Sequence, residues 1–202
     1  MTEALNRRQS VRITDRVLLS VSPVSPEKLQ QVTAEFLQGI SLYNQKELAD
    51  IQIFIGAQSA LAKLREKDED LADFLQHLDN KMNMLLRRVQ GEKSPMDDLV
   101  MQKANFSANG IAYRSEACAQ IGDVLEIHVV FLPAYIYVYC FGRVVACDAV
   151  DDENDEGGKY RVALEYTLLM EADREKIIQH NFKQQSLALR NRRLSDQGAS
   201  DA

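Results

Sequence analysis

Three arginines lie close together near the start of the sequence, where residues 7–12 read RRQSVR. A guanidinium group binds phosphate through two parallel hydrogen bonds and stacks on planar bases. Arg7, Arg8 and Arg12 are therefore candidate ligands for a small phosphorylated molecule. An RxxxR pattern also occurs by chance in many proteins, and a solvated, disordered N-terminal segment is the alternative interpretation.

A second polar pattern, NxSxxG, spans residues 105–110. Asn105 and Ser107 supply short hydrogen-bonding groups, and Gly110 would let a flat base approach the backbone closely. The same segment can form an ordinary turn, in which Asn109 and Gly110 supply positive φ angles. If the fold brings this segment beside the arginines, the combined site suits a small guanine nucleotide.

Residue patterns of the common enzyme classes are missing from the sequence, which contains no GxSxG, P-loop, HExxH or helix-opening GxGxxG pattern. The acidic run at 151–158 lacks the ligand order of an EF-hand. The histidines, His77, His128 and His180, lie in three different segments without metal-ligand spacing. We therefore expect no enzymatic activity, no metal and no cofactor, with each histidine at the surface or hydrogen-bonded in the core.

Composition restricts the function further. The 202 residues carry a net charge of −6 and are 46% hydrophobic, which fits a folded domain with an elaboration and disfavours a protein that binds DNA or RNA. No apolar run reaches the roughly 20 residues of a membrane span, and no signal peptide is recognisable. Cys118, Cys140 and Cys147 are odd in number and lack a CxxC pattern, so we expect buried thiols, no disulfide framework and a cytoplasmic location.

The spacing of apolar residues divides the chain into a strand, a helical block, five strands and a closing helix. Residues 11–21 predict the first strand. Helical spacing follows over 26–42, 45–66 and 71–89, and a break at the charged run 67–70 is left open. Alternation with period two predicts strands within 99–106, 110–117, 123–131, 135–150 and 159–168, before a helix over 171–190.

Five closely spaced strands favour a small antiparallel barrel, and a lone first strand would be unstable outside it. We therefore predict an α+β fold: a six-stranded barrel with a C-terminal helix, interrupted after its first strand by a helical or coiled-coil block. The barrel would comprise residues 7–24 and 95–190 and the inserted block residues 25–94. Residues 191–202 would form a disordered tail.

The last helix of the block carries six apolar residues at intervals of 4, 3, 4, 3 and 4, which is the heptad pattern of a coiled coil. Phe74 and Leu86 widen this face, so an internal bundle within one chain is the alternative. If a second copy covers the face instead, the protein is a homo-oligomer, either a dimer or a tetramer. The six residues are Leu71, Leu75, Leu78, Met82, Leu85 and Val89.

The combination of RxxxR, NxSxxG, a six-stranded barrel and a C-terminal helix resembles the PilZ domain family. The resemblance covers about residues 7–20 and 95–190, including the segments at 121–124, 142–145 and 160–166. The sequence departs from the family in its long insertion between the motifs and in Ala163, where a glycine is frequent. PilZ domains are receptors for the bacterial second messenger cyclic di-GMP. The resemblance implies that phosphates and guanine are gripped by Arg7, Arg8 and Arg12 and that guanine is held by Asn105, Ser107 and Gly110.

Two functions are consistent with these observations. The first is a non-enzymatic cyclic di-GMP receptor, whose arginine segment becomes ordered on the ligand and is then recognised by an unidentified downstream protein. The second is an oligomeric PilZ-like scaffold or adaptor with weak or no nucleotide binding. The sequence indicates neither the downstream process nor the affinity and stoichiometry of the ligand.

Overall fold

The computed structural model describes residues 12–44, 46–90, 98–150 and 158–198. These ranges contain, in chain order, β1 (Ile13–Pro23), α1 (Pro26–Leu37), α2 (Lys46–Arg65), α3 (Glu69–Gln90), β2 (Val100–Ser107), β3 (Gly110–Ser115), β4 (Val124–Phe131), β5 (Ile136–Ala149), β6 (Tyr160–Leu168) and α4 (Glu171–Gly198). A short 3-10 turn, Leu42–Asn44, lies between α1 and α2. Every strand and helix expected from the sequence is present.

The six strands close into an antiparallel barrel in the order β1-β2-β3-β6-β5-β4. The period-two pattern explains this arrangement, because alternate side chains of a strand point to the same face. Strand β6 shows it most simply: Val162, Leu164, Tyr166 and Leu168 are buried, and the residues between them are exposed or half-buried. The prediction of an α+β fold with the first strand in the barrel is confirmed.

Helix α1 begins and ends at recognisable caps. The Ser25 side chain accepts a hydrogen bond from the Lys28 amide at 3.2 Å, and Pro26 occupies the first turn. At the other end Gly39 has a φ of 79°, and the Ile40 amide donates to the Glu35 carbonyl at 3.0 Å. The helix therefore stops at Leu37, five residues before the end that apolar spacing predicted.

The charged run at 67–70 separates α2 from α3, which answers the question that the sequence left open. Helix α2 ends at Arg65. Asp68 then starts α3, because its Oδ1 accepts from the Leu71 amide at 3.0 Å and its carbonyl accepts from the Ala72 amide at 3.1 Å. Lysine, glutamate and aspartate at this point favour a solvated helix boundary over a buried helix interior.

Contacts divide the described residues into two compact units. One contains residues of the ranges 1–16, 102–125 and 140–202, and the other contains residues of 17–101 and 126–139. The boundaries between the two units fall within β1, β2, β4 and β5. Within the second unit, Lys28 of α1 forms an ion pair with Glu126 of β4 at 3.0 Å. This bond explains why the start of the helical block belongs with these strand segments.

Two further expectations need correction. Residues 191–198, predicted to be disordered, continue α4 as far as Gly198. This segment contains no proline and no internal glycine, so extending an existing helix through it costs little. Cys118 and Cys147 form a disulfide with their Cα atoms 6.0 Å apart, while Cys140 is free and buried. The Gly122 amide donates to the Val144 carbonyl at 2.9 Å, which holds the 116–123 loop along β5 and brings the two cysteines together.

No helix in the described part of the chain combines the length and the hydrophobicity that a membrane crossing requires.

Candidate functional site

A pocket of about 260 Å³ lies on the outer surface of the barrel, within the first of the two units. Four of the six residues predicted to bind a ligand line it: Arg12, Asn105, Ser107 and Gly110. The other two, Arg7 and Arg8, lie outside the described residues. Arg12 directly precedes β1, whereas the other three belong to β2 and β3. The barrel therefore brings together two motifs that are about ninety residues apart in the sequence.

The register of β2, β3 and β6 arranges the pocket in two rows. In one row Ser107 pairs with Gly110, which pairs with Glu165. In the next, Asn105 pairs with Ala112, and Ala112 pairs with Ala163. Polar side chains thus lie at both ends of the first row and at the β2 end of the second, while the other three positions are glycine or alanine. A surface of this kind leaves room for a flat aromatic ring to lie against the strands.

Gly110 has a structural role that the sequence did not reveal. A Cβ at this position would overlap the carbonyl oxygen of Leu164 on β6. Neither Gly110 nor Asn109 has a positive φ, so the structure does not show the alternative in which these two residues supply positive φ angles to a turn. The two-residue turn consists of Ala108 and Asn109, and the Asn109 amide donates to Ser107 Oγ at 3.3 Å. Glycine is required here because β3 and β6 approach each other closely.

The two motif-bearing segments are bonded to each other. Asn105 Nδ2 donates to Thr14 Oγ1 at 2.8 Å, which fixes the start of β1 against β2. Thr14 lies two residues from Arg12, so this bond also limits where the Arg12 backbone can be. Ser107 is buried, with 4% of its surface exposed, and Asn105 is half-buried. Hydrogen bonds within the protein thus position Asn105 and Ser107 before any ligand binds.

Helix α4 contacts both the NxSxxG segment and the start of β1. Arg174 Nη1 donates to the Ala108 carbonyl at 2.5 Å, in the turn of NxSxxG. One turn and a half further along α4, the buried His180 places Nε2 3.1 Å from Asp15 Oδ2, and Gln184 Nε2 donates to the same oxygen at 2.8 Å. Asp15 lies in β1, between Arg12, which precedes the strand, and Arg16. One helix therefore contacts both motif-bearing segments.

Eight of the twelve pocket residues were not among the predicted site residues. Three of the eight are exposed residues of β5 and β6: Val145, Arg161 and Glu165. Val145 is the extra residue of a bulge, since Val144 pairs with Leu164 and Ala146 with Ala163. Arg161 and Glu165 flank Ala163 on the outer face of β6. Their alternation in RVALE was visible in the sequence, but which strands lie beside β6 was not. The register alone places them opposite the NxSxxG segment.

A second polar cluster lies in the other unit, around the buried carboxylate of Glu126. Lys28 Nζ donates to both of its oxygens at 3.0 Å, and the Tyr139 hydroxyl donates to Oε1 at 2.6 Å. His128 places Nε2 3.5 Å from Oε1, while its Nδ1 lies 2.8 Å from the Tyr137 hydroxyl. Burial by itself raises the pKa of Glu126, but the hydrogen bonds from His128, Tyr139 and Lys28 outweigh it and lower the pKa to about 2.

The heptad face of α3 is solvent-exposed in the single chain. Five of its six predicted residues are between 38% and 63% exposed, and Phe74 beside them is 59% exposed. The side chain of the sixth, Val89, lies outside the described residues. Among the α3 residues whose side chains are described, Ala72 at the start of the helix is buried. The exposed five are Leu71, Leu75, Leu78, Met82 and Leu85.

Within the described part of the chain, the histidines and the free cysteine do not form a reaction centre. His77 is exposed, whereas His128 and His180 are buried and hydrogen-bonded. Burial raises the pKa of the Cys140 thiol, which disfavours the thiolate that a nucleophile needs. Among the described residues, no group of three or more histidine, cysteine or acidic side chains could hold a metal ion.

Part of the chain matches a known protein family. The model of the PilZ domain family matches residues 89–183. A solved structure similar to the chain is a tetrameric PilZ domain protein from Xanthomonas campestris that self-assembles through a helical bundle; identity is 13%, the TM-score is 0.47, and 93% of this chain and 92% of that chain are covered. The inhibitor of motility from Bacillus subtilis is similar at 21% identity and a TM-score of 0.36, over 43% of this chain and 42% of that chain. No curated protein sequence matches the chain.

The residues that match the family model include all of β2 to β6 and the first part of α4. They contain the NxSxxG segment and every pocket residue except Arg12. Arg12 reaches the pocket because β1 is the sixth strand of the same barrel. Residues 89–183 therefore match a PilZ domain, and β1, which directly follows Arg12, is the remaining strand of the barrel.

Proposed function

We propose that this protein is a receptor for cyclic di-GMP, which it binds at the barrel pocket and does not chemically convert. The observation that supports the proposal most is the presence of Arg12, Asn105, Ser107 and Gly110 in one pocket. They come from two motifs at distant positions in the sequence. A chance RxxxR or an ordinary turn would have no reason to share a site.

The chemistry of the pocket suits a planar base with phosphates attached. Gly110, Ala112 and Ala163 form a low centre on which a base can lie, and Asn105 and Ser107 supply hydrogen bonds at its edge. Arg12 and Arg161 provide guanidinium groups for the phosphates. At about 260 Å³, the pocket is smaller than the roughly 300–1,000 Å³ typical of sites that enclose a ligand. We infer that it receives one base, while the rest of the ligand lies against the arginines.

Signalling in this proposal depends on the segment before β1. Arg7 and Arg8 precede Arg12 by five and four residues, close enough to reach phosphates that Arg12 already contacts. Their ordering on the ligand creates a new surface, which a downstream protein recognises in the cytoplasm. The protein supplies no nucleophile or metal in this mechanism. It acts through a change of shape.

Calorimetric titration with cyclic di-GMP tests the proposal. We expect the wild type to bind, and Arg12→Ala to weaken binding about tenfold or more, since a hydrogen bond to a charged group contributes roughly 1.5–3 kcal/mol. Arg190→Ala, which removes an exposed arginine of α4, is the matched control and should bind like the wild type. A wild-type protein that does not bind cyclic di-GMP would contradict the proposal.

A second candidate function, an oligomeric scaffold or adaptor, is favoured by the exposed heptad face of α3. Five large apolar side chains at heptad spacing form a continuous exposed stripe, which soluble monomers rarely leave uncovered. A second copy of the same helix would cover it with matching spacing. Oligomerisation is compatible with nucleotide binding, so the two candidates are distinguished by the titration above.

A further inference from the structure

Glu165 is an unexpected residue in a pocket that we propose binds a dianionic ligand. It lines the pocket from β6, on the same face as Arg161 and Ala163. A carboxylate close to a phosphate lowers affinity, because like charges repel at short range. If the site served phosphates alone, a negative side chain would be unfavourable at this position. Its presence points to a part of the ligand that donates hydrogen bonds.

Glu165 is also available to a ligand. Among the residues that the structure describes, it forms no ion pair and no side-chain hydrogen bond. Arg143 is its cross-strand partner on β5, yet the two side chains are not ion-paired. The carboxylate is exposed on the outer face of the barrel. It therefore keeps both oxygens free as acceptors.

The position of Glu165 relative to Ser107 fits a base lying between them. The two residues lie in one cross-strand row, one on either side of Gly110. Neighbouring strands are about 4.8 Å apart, so the Cα atoms of Ser107 and Glu165 are separated by roughly 10 Å. Gly110 has no side chain to fill the gap. A planar ring lying over Gly110 would thus meet a hydroxyl on one side and a carboxylate on the other.

Guanine and adenine differ at the edge that such a carboxylate would contact. The Watson–Crick edge of guanine carries two adjacent donors, N1–H and the 2-amino group, and an ionised carboxylate offers two acceptor oxygens side by side. Adenine presents N1 as an acceptor at the corresponding place, which a carboxylate cannot satisfy. We propose that Glu165 binds the N1–H and 2-amino groups of guanine and sets the preference of this pocket for guanine over adenine. The inference rests on the proposed function as a cyclic di-GMP receptor.

An alternative role for Glu165 predicts the opposite effect of its removal. Before ligand binds, the carboxylate could attract the arginines of the N-terminal segment and compete with the phosphates for them. Replacing it would then release those arginines and strengthen ligand binding. A contact with the guanine edge predicts weaker binding on the same replacement, so the sign of the change distinguishes the two roles.

Calorimetry with three ligands and Glu165→Gln tests the inference. Cyclic di-IMP has the same phosphates as cyclic di-GMP but lacks the 2-amino groups, and cyclic di-AMP carries adenine. We expect the wild type to prefer cyclic di-GMP to both. Glu165→Gln should bind cyclic di-GMP about tenfold more weakly or worse, because glutamine lacks the charge and can accept only one of the two bonds. Its preference for cyclic di-GMP over cyclic di-IMP should shrink. Glu175→Gln, which removes the same charge from an exposed position on α4, should match the wild type.

Three results would overturn the inference while leaving the proposed function intact. They are unchanged binding of cyclic di-GMP by Glu165→Gln, tighter binding, or an equal loss for cyclic di-GMP and cyclic di-IMP. An equal loss would show that the carboxylate does not contact the 2-amino group. A wild type that binds none of the three ligands would contradict the proposed function itself, and the inference with it. Thermal unfolding of both variants checks that they remain folded.

Discussion

Gly110 connects the fold and the site at the scale of a single residue. A side chain there would overlap Leu164 of the neighbouring strand, so Gly110→Ala should lower the free energy of unfolding by about 1–3 kcal/mol, the usual range for overpacking. Urea unfolding measures this directly. Gly56 of α2 has open space around it, and Gly56→Ala should stabilise the protein slightly. Equal stability of Gly110→Ala and the wild type would mean that β3 and β6 can separate without cost.

The ionisation of Glu126 makes the stability of the folded protein depend on pH. Its folded pKa of about 2 lies below the ordinary value of 4.5, so its contribution to stability is present above pH 4.5 and is lost as the pH falls towards 2. Glu126→Gln should be less stable than the wild type at neutral pH, and this difference should shrink between about pH 5 and pH 2. Denaturant unfolding over that range tests it. Glu66→Gln, at an exposed position, should follow the wild type throughout.

The sequence predicted the pocket residues that belong to motifs and missed those that depend on register. Arg12, Asn105, Ser107 and Gly110 were recognisable because their types and spacing carry the chemistry. Val145 could not be found, because the bulge that exposes it arises from unequal pairing of β5 and β6. Arg161 and Glu165 lie on β6, where every outward-facing residue is an equally good candidate for the pocket until the neighbouring strands are known. The close approach of β3 and β6, which requires glycine at position 110, was missed because it also depends on which strands are neighbours.

At the scale of elements, the exposed stripe on α3 predicts that copies of the protein associate through this helix. Leu78 lies in the middle of the stripe and is 41% exposed. Leu78→Asp would place a charge in a helix–helix interface, so it should lower the oligomeric state measured by light scattering while nucleotide binding persists. His77→Asp introduces the same group on the exposed polar side of α3 and should leave assembly unchanged. A wild type that is monomeric at about 100 μM, where weak association begins to be populated, would contradict this prediction.

Periodicity located the elements well and their ends less well. All six strands were expected within a few residues, because alternation persists along the whole length of a strand. Helix α1 is shorter than predicted since Gly39, with a positive φ, ends it before the apolar spacing does. Helix α4 is longer than predicted because its last residues are polar, and polar residues carry no periodic signal even where they are helical. The cysteine pairing was missed because the loop that carries Cys118 has no periodicity.

At the scale of the whole molecule, charge shapes ligand binding. The protein has a net charge of −6, and the proposed ligand carries two negative charges, so attraction comes from the local arginines. We expect affinity for cyclic di-GMP to fall modestly as salt is raised from about 50 to 500 mM, which calorimetry at several ionic strengths will measure. A dependence as steep as that of a DNA-binding protein, which releases many counterions, would contradict a site for a small dianion.

The insertion of three helices between β1 and β2 has a consequence for synthesis. Strand β1 pairs with β2 and β4, yet residues 24–99 are made before β2 begins. At roughly 5–20 residues per second, β1 leaves the ribosome several seconds before either partner exists. During that interval Asp15 and Arg16 place charges on the unpaired strand, a feature that discourages edge-to-edge aggregation. The barrel therefore cannot close around β1 until the later strands have been translated.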